Sequence, residues 1–220
     1  MLDRGELSDS EVVLWRRRRL SVHRCLARAL LAAKEFHLAT VALRTAAVDC
    51  QATEDGAADA AALYSLLGRV HLLLGDSQAA GAAFQRFNSS CDQADPSMKA
   101  LACRHRGDVS LFYGNYSEAL QSFEASLQFK PDDLDCVINC AVCQLYCGRL
   151  DEAVATLESA LRRQPKEALT EELCLNLATL YELSSADGAA RKRLLLSALC
   201  DRRAAAADAF DVSALKMALS

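Results

Sequence analysis

Apolar and small side chains recur along this chain at spacings of three and four residues, which place them on one face of an α-helix. The segment with Tyr64, Leu67, Gly68 and His71 shows the pattern clearly. Segments of this kind alternate with short stretches that contain Gly or Pro, residues that commonly mark helix ends. The pattern therefore predicts an all-α protein built from a series of amphipathic helices.

The helical pattern also repeats every 34 residues: Gly107, Ala119, Phe123 and Pro131 are followed by Ala141, Ala153, Leu157 and Pro165. An early small residue, a Gly at the turn, an Ala four residues before a large apolar residue, and a closing Pro are typical of a tetratricopeptide helix-turn-helix. One such unit cannot bury its apolar face alone, so neighbouring units must stack. The sequence thus predicts a tetratricopeptide (TPR) α-solenoid.

The repeat frame extends to five helix-turn-helix units, near residues 20–53, 61–94, 100–133, 134–167 and 171–204. Wider spacing of the first three units predicts longer loops at 51–59 and 89–97. The fifth unit fits the repeat pattern when the 34-residue frame is shifted by three residues. This shift places Ala190 and Leu194 in its second helix. Residues 1–19 are predicted to form an N-terminal segment, helical from about residue 11, and residues 205–220 a C-terminal capping segment.

Small residues early in each repeat and midway along it allow its two helices to approach closely, and a large residue four positions further on fills the space beside them. The predicted packing residues are Gly68, Ala80, Phe84, Gly107, Ala119, Phe123, Ala141, Ala153, Leu157 and Ala178.

Charge and composition narrow the function classes. The net charge is −4 and no basic domain stands out, so a nucleic-acid partner is not expected. No stretch reaches the roughly 18 apolar residues of a membrane span, and the acidic start MLDRGELSDSEVV does not resemble a signal peptide. We therefore expect an intracellular, cytoplasmic chain without direct membrane insertion.

Four of the ten cysteines lie at helical spacing in the fourth repeat: Cys136, Cys140, Cys143 and Cys147. A similar spacing occurs among ligands of iron–sulfur clusters, but those ligands come from a loop that wraps the cluster. Here the spacing belongs to a helix that needs a packed apolar seam, and free Cys behaves as a small hydrophobe. The sequence therefore predicts buried thiols and no metal site or cofactor.

Other candidate sites are weaker. The basic run from Arg16 to Arg19 could be a nuclear signal or a patch for an acidic partner, but a solvated helix face is favoured. The chain has no Gly-rich phosphate loop, no catalytic triad pattern and no H-x-x-x-H pair among its four histidines, which are His23, His37, His71 and His105. No enzyme is predicted. Ala153→Asp is expected to unfold the array locally, because it places an unpaired carboxylate between two close helices, and surface changes such as Glu158→Lys are expected to matter far less.

Partners of tetratricopeptide arrays bind along the first helix of each repeat. In this frame the first three repeats offer Arg24, Arg28, Arg69 and Arg104, and the fourth offers Ile138, Val142, Leu145 and Tyr146. The hypothesis is a groove that is basic in its N-terminal half and apolar in its C-terminal half, suited to a peptide or helix with an acidic end and an apolar end. The alternative that Ile138 and Val142 pack against the next repeat remains open.

Several segments resemble the trafficking protein particle (TRAPP) complex subunit 12 family. The most distinctive is INCAVCQLYCGRLDEAVATLESALRRQP at 138–165, followed by LCLNLATLYEL at 173–183 and LYSLLGRVHLLLGD at 63–76. Residues such as Asn139, Tyr146 and Asn176 are not demanded by the repeat itself. Family members carry a long acidic N-terminal region that this sequence lacks, so the chain resembles their C-terminal solenoid.

The resemblance implies a non-catalytic scaffold subunit of a TRAPP tethering complex in endoplasmic reticulum (ER) to Golgi vesicle transport. It also implies other TRAPP subunits as partners and a location at the ER–Golgi intermediate compartment and Golgi. Two alternatives stay open. One is a general TPR adaptor, such as a co-chaperone or mitotic scaffold, that binds a short peptide motif. The other is a metal-binding module built on the cysteines.

Overall fold

A computed structural model of the chain describes residues 9–51, 56–91, 94–164, 167–168, 170–184 and 188–205. These residues form α-helices joined by loops and contain no strand, so the predicted all-α class is confirmed. The helices are α1 (Asp9–Ala32), α2 (Phe36–Gln51), α3 (Ala57–Leu73), α4 (Ser77–Ser90), α5 (Pro96–Phe112), α6 (Tyr116–Phe129), α7 (Leu134–Tyr146), α8 (Leu150–Arg163), α9 (Glu171–Leu183) and α10 (Gly188–Ala205).

The ten described helices follow the predicted repeats as five successive pairs. α1 continues through residue 19 without a break, so the predicted N-terminal segment and the first helix of repeat one share one helix. The stretches 51–59 and 89–97 contain the ends of α2 and α4 and the starts of α3 and α5. Most of the predicted capping segment, 206–220, lies outside the described residues. The predicted repeat boundaries remain predictions.

The turn inside each of the first four pairs is three residues long, and its middle residue has a positive φ. Glycine occupies this place in three pairs, with φ of 80° at Gly75, 76° at Gly114 and 77° at Gly148. Glycine adopts this backbone conformation without steric cost, which explains why it recurs in the sequence. In the first pair Lys34 takes the same conformation, with φ of 60°.

Polar side chains fix where several helices begin. Asp76 accepts a hydrogen bond from the backbone N–H of Ala79 at the start of α4, at 2.9 Å. Asp133 and Thr170 accept equivalent bonds at the starts of α7 and α9. Each of these caps satisfies one of the N–H groups that the first helical turn leaves without a partner.

The chain divides into two compact units, Met1–His105 and Arg106–Ser220. In the first unit α1 packs on α2, α2 on α3 and α3 on α4. Its core contains Leu43, Tyr64 and Phe87, each at most 1% exposed. Tyr64 also donates a hydrogen bond from its hydroxyl to Gln51 Oε1, at 3.1 Å, which ties the end of α2 to α3.

In the second unit α6 packs on α7, α7 on α8, α8 on α9 and α9 on α10. One core cluster joins α6 to α7 around Phe123. A second cluster runs from α7 to α10 and contains Leu157, Leu173 and Leu177, all fully buried. Every second-unit helix after α6 therefore buries apolar side chains against its neighbours.

Close approach of the two helices in a pair depends on the size of one residue on the first helix. A Cβ on Gly68 would lie 2.3 Å from Cε1 of Phe84, and one on Gly107 would lie 2.6 Å from Cε1 of Phe123. In the pair α7–α8 the same two repeat positions hold Ala141 and Leu157. Glycine faces a ring and alanine faces a smaller leucine, so the space between the helices is filled in either case.

All ten predicted packing residues are buried. The sequence frame fails, however, in the second helix of the fifth pair: Ala190 is exposed and Leu194 is 72% exposed, whereas Leu195 and Leu199 are buried. The buried apolar residue of α10 therefore lies at 195, one position after the residue that the sequence frame selected.

The contact between Gly68 and Phe84 gives a stability test. Gly68→Ala should lower the free energy of unfolding by about 1–3 kcal/mol, because the new methyl group overlaps the ring. Gly81→Ala is the matched control, since a Cβ there meets nothing within 4 Å, and it should raise stability by about 0.5–1 kcal/mol. Urea unfolding measures both. A Gly68→Ala variant as stable as the Gly81→Ala variant would contradict the proposed contact.

Candidate protein-binding surface

The predicted groove residues all lie on the first helices of the pairs. In the first unit Arg24 and Arg28 belong to α1, Arg69 to α3 and Arg104 to α5. In the second unit all four, Ile138, Val142, Leu145 and Tyr146, belong to α7. The structure separates them into side chains that are available at the surface and side chains that are engaged in packing.

Arg24 and Arg28 are exposed on α1. The Arg24 guanidinium lies 3.3 Å from Oδ1 of Asp59 on α3, and both side chains remain about half exposed. An exposed pair of this kind contributes little to stability and exchanges readily with other charged groups. These two arginines can therefore contact an acidic partner.

Arg69 and Arg104 are half-buried beside His105. Burial, together with the smaller effect of the positive charges of Arg69 and Arg104, lowers the pKa of His105 to about 3. The two arginines are thus part of a packed polar region of the first unit. Reversing their charge would perturb this packing as well as any partner contact.

His105 is 4% exposed and its ring stacks on Phe84, with centroids 4.2 Å apart. Phe87 meets the same ring edge-on at 4.6 Å. The His105 Nε2 atom and the Ser65 hydroxyl are 2.7 Å apart. A serine beside a histidine suggests a nucleophile and base, but both side chains are buried and a histidine with this pKa is a poor base near neutral pH. The pair acts as a structural hydrogen bond in the core.

Half of the predicted apolar groove takes part in the core. Ile138 and Leu145 are partly buried and pack against the cluster that joins α7 to α10. Val142 is also only partly exposed. For Ile138 the packing alternative is therefore supported.

Tyr146 is different, because 62% of it is exposed. Its ring stacks on Tyr116 at the start of α6, with centroids 4.3 Å apart and planes 5° from parallel. Stacking restricts the rotamers of Tyr146, so little side-chain entropy would be lost when a partner contacts it. Tyr146 is the best-placed apolar contact of the predicted groove.

A recurrence that the sequence reasoning did not use appears at the ends of the first helices. α3, α5, α7 and α9 each end in a large exposed side chain: Leu73 is 70% exposed, Phe112 39%, Tyr146 62% and Leu183 55%. The same repeat position therefore presents an apolar group to solvent in four pairs. The repeat frame could have found it, because these residues share one position in the frame.

The basic run at the start of α1 is not only a solvated face. Arg17 and Arg18 are exposed, and Arg18 lies over the ring of Trp15 at 5.2 Å. Arg19, in contrast, binds the carboxylate of Asp49 on α2, a side chain only 8% exposed. The pair neutralises a buried charge and holds α1 to α2.

Three of the four cysteines at helical spacing in the fourth repeat are buried in the core between α6 and α7. Cys136, Cys140 and Cys143 are at most 2% exposed, and Cys147 is partly exposed. Burial raises the pKa of Cys140 to about 12 and that of Cys143 to about 11, so both thiols stay protonated. In the part of the chain that the structure describes, no three His, Cys, Asp or Glu side chains are placed so that they could hold a metal ion.

Glu158 on α8 has more partners than an ordinary surface carboxylate. It accepts a hydrogen bond from the Tyr181 hydroxyl at 2.9 Å and lies 3.4 Å and 3.6 Å from the guanidinium groups of Arg162 and Arg191. Burial, together with this hydrogen bond, raises the pKa of Tyr181. We therefore expect Glu158→Lys to have a larger effect than an ordinary surface change, because the carboxylate connects α8, α9 and α10.

The second unit also has an open groove of about 530 Å³ along α7 and α8, lined by side chains that include Gln144, Thr156 and Arg163. Thr156 donates a hydrogen bond to Gln144 Oε1, at 2.9 Å, so these polar groups satisfy each other. Among the described helices none is long and apolar enough to cross a membrane.

Sequence comparison finds two kinds of similarity. The family model for the tetratricopeptide repeat matches residues 113–174. Trafficking protein particle complex subunit 12 of Mus musculus is 30% identical over 97% of this chain. The Homo sapiens protein of the same name is 29% identical over 95% of it. The chain spans only 26% and 27% of the lengths of these two relatives. The predicted resemblance to this family is confirmed for its tetratricopeptide region.

Solved structures agree on the fold. PilF of Pseudomonas aeruginosa superposes with a TM-score of 0.58, covering 90% of this chain and 81% of its own, at 15% identity. A MamA crystal structure superposes with a TM-score of 0.53, covering 82% of this chain and 97% of its own, at 13% identity. At such identities the likeness concerns the fold alone. The TPR α-solenoid is thereby confirmed.

The buried His105 makes stability depend on pH. Its folded pKa of about 3 lies below the usual value of 6.5, so between these values the unfolded chain binds a proton that the folded chain does not. Stability should fall as the pH is lowered, by up to about 1.4 kcal/mol per pH unit from this one group. His105→Gln should reduce this slope in urea titrations between about pH 6 and pH 4. His37→Gln, at an exposed position, should leave the slope unchanged; equal slopes in all three proteins would contradict the assignment.

Glu158→Lys should lower the free energy of unfolding by about 1–3 kcal/mol, because it removes the acceptor of the Tyr181 hydroxyl and puts a third cation beside two arginines. Glu158→Gln keeps an acceptor for the Tyr181 hydroxyl, so it should lower the free energy of unfolding by less than Glu158→Lys does. Glu124→Lys on α6, an exposed position, is the control and should change little. Urea midpoints compare the three variants, and similar midpoints for Glu158→Lys and Glu124→Lys would count against the network.

Proposed function

We propose that this tetratricopeptide-repeat chain, similar over nearly its whole length to part of trafficking protein particle complex subunit 12, is a scaffold subunit of a TRAPP tethering complex. In this role it binds other TRAPP subunits and acts in ER to Golgi vesicle transport, in the cytoplasm at the ER–Golgi intermediate compartment and Golgi. Its contribution is assembly, without catalysis by the chain itself.

The observation that carries the proposal is the extent of the similarity. It covers 97% of this chain and includes both compact units. Tetratricopeptide packing alone would account for the small and large residues at the repeat positions. Exposed Tyr146 is not needed for packing, and it lies within the segment that resembles the family most.

The surface supports binding in two ways. The exposed Arg24 and Arg28 of the first unit can attract an acidic segment and speed its association. The exposed aromatic ring of Tyr146, held by Tyr116, can anchor an apolar side chain. Because α1 packs on α2, and α7 packs on both α6 and α8, a partner meets a preorganised surface and the ordering entropy on this side is small.

A general TPR adaptor remains the second candidate, because the restricted and exposed Tyr146 also suits a short peptide. The two candidates differ in the partner. An adaptor binds an isolated peptide with about micromolar affinity, whereas a scaffold subunit is recovered with a defined set of other subunits.

Affinity purification from cells with quantitative mass spectrometry tests the proposal. The chain should recover other TRAPP subunits at near-stoichiometric levels, and Arg28→Glu and Tyr146→Ser should each reduce that recovery several-fold, since each removes an exposed contact. Neither change touches the core, so circular dichroism should show that the fold is retained, with at most a small drop in melting temperature for Tyr146→Ser, which loses its stack on Tyr116.

Matched controls are available for both changes. Lys99→Glu reverses another exposed cation of the first unit, and Tyr113→Ser removes a tyrosine that is 61% exposed, close to the 62% of Tyr146. Both controls should retain recovery. Recovery of chaperones without TRAPP subunits would overturn the proposal in favour of an adaptor, and equal loss in variants and controls would overturn the assigned contacts.

A further inference from the structure

The sequence Arg17-Arg18-Arg19-Leu20-Ser21-Val22 places arginines two and three residues before a serine and an apolar residue directly after it. Basic residues at these two positions form the pattern that basic-directed protein kinases select. No other serine or threonine of the sequence has a basic residue at both positions. We propose that Ser21 is a phosphorylation site for such a kinase.

The residues of this site are accessible in the structure. Ser21, Arg18 and Arg19 are all exposed, and Val22 is 64% exposed. Arg18 contacts only Trp15 among the ring systems described, and Trp15 is itself 56% exposed. A kinase can therefore reach the acceptor and the arginine three positions before it without displacing core side chains.

A kinase binds its substrate in an extended form, so α1 must open locally around Ser21. The N-terminal half of α1 buries little: Val13 is 43% exposed, Leu14 46% and Trp15 56%. Opening releases the hydrogen bond that the Ser21 hydroxyl donates to the carbonyl of Arg17, at 3.1 Å, the partly buried Leu20, and the ion pair between Arg19 and Asp49. Apart from this ion pair few buried contacts are lost, and such segments open at low free energy. The first well-buried side chain of α1 is Ala27.

The reaction is an ordinary phosphoryl transfer from ATP. The Ser21 oxygen forms a bond to the γ-phosphorus while the bond from that phosphorus to the β–γ bridging oxygen breaks. The hydroxyl proton passes to the carboxylate base of the kinase, and ADP leaves. The product carries about 1.5 to 2 negative charges at neutral pH.

Arginines on the same helix surround the new phosphate. Arg17 and Arg18 lie four and three residues before Ser21, and Arg24 lies three residues after it, all at spacings that bring side chains together on a helix. Arg24 can exchange its exposed partner Asp59 for the phosphate. This withdraws positive charge from the Arg24 and Arg28 face, so phosphorylation weakens binding of an acidic partner; this consequence rests on the proposed function.

The test uses the purified chain, ATP and the catalytic subunit of cyclic-AMP-dependent protein kinase, with the modified residue located by mass spectrometry. Phosphate should appear on Ser21, and Ser21→Ala should lose it. Arg18→Gln should slow the modification by about tenfold or more, because the arginine makes charge-assisted hydrogen bonds to the kinase. Arg17→Gln is the matched control, since it removes an exposed arginine outside the two selected positions, and it should retain the rate.

Absence of phosphate on Ser21 in the wild-type chain would overturn the inference, and so would an Arg18→Gln variant modified as fast as the wild type. Melting of each variant shows that the fold is retained, because none of the three changed side chains is buried. The assay contains no partner protein. Its outcome is therefore independent of whether TRAPP subunits are recovered, and the two proposals can fail separately.

Discussion

In the pairs α3–α4 and α5–α6 a phenylalanine ring occupies the space that a Cβ on the facing helix would need. Phe84 against Gly68 and Phe123 against Gly107 leave no room for even one methyl group. This contact sets the distance between the two helices of a pair, and the three-residue turn with a positive φ at its centre sets how the second helix returns. The outward faces of the first helices, which carry the proposed binding residues, depend on that spacing.

The same helices serve packing and the surface at once. α7 buries Cys136, Cys140 and Cys143 on one side and exposes Tyr146 at its end. A helix that is packed on two neighbours cannot rotate, so its exposed residues stay in place. This is the physical basis for the proposed scaffold function: the packed core holds the proposed binding residues in place, and its buried thiols stay protonated.

Polar contacts between helices add specificity to this apolar packing. Arg19 with Asp49, Ser65 with His105, and Tyr181 with Glu158 each join two helices through a side chain that is largely buried. A buried polar group that loses its partner is costly, so an alternative register of the helices would be disfavoured. The first of these contacts also explains why the basic run of α1 divides into Arg19, which binds a carboxylate on α2, and Arg17 and Arg18, which do not hold another helix.

From its sequence alone this chain could be assigned to the tetratricopeptide class, because a period of 34 residues and recurring small and large residues are properties of local order. The tertiary structure was needed to show that Arg69 and Arg104 flank a buried histidine, that Ile138 packs inside while Tyr146 stacks on Tyr116, and that Glu158 joins three helices. It also revised the register of α10, where Leu195 is buried and Leu194 is exposed. A repeat pattern specifies which residues share a helix face, but which side chains meet across helices depends on loop length and on distances that only the folded chain defines.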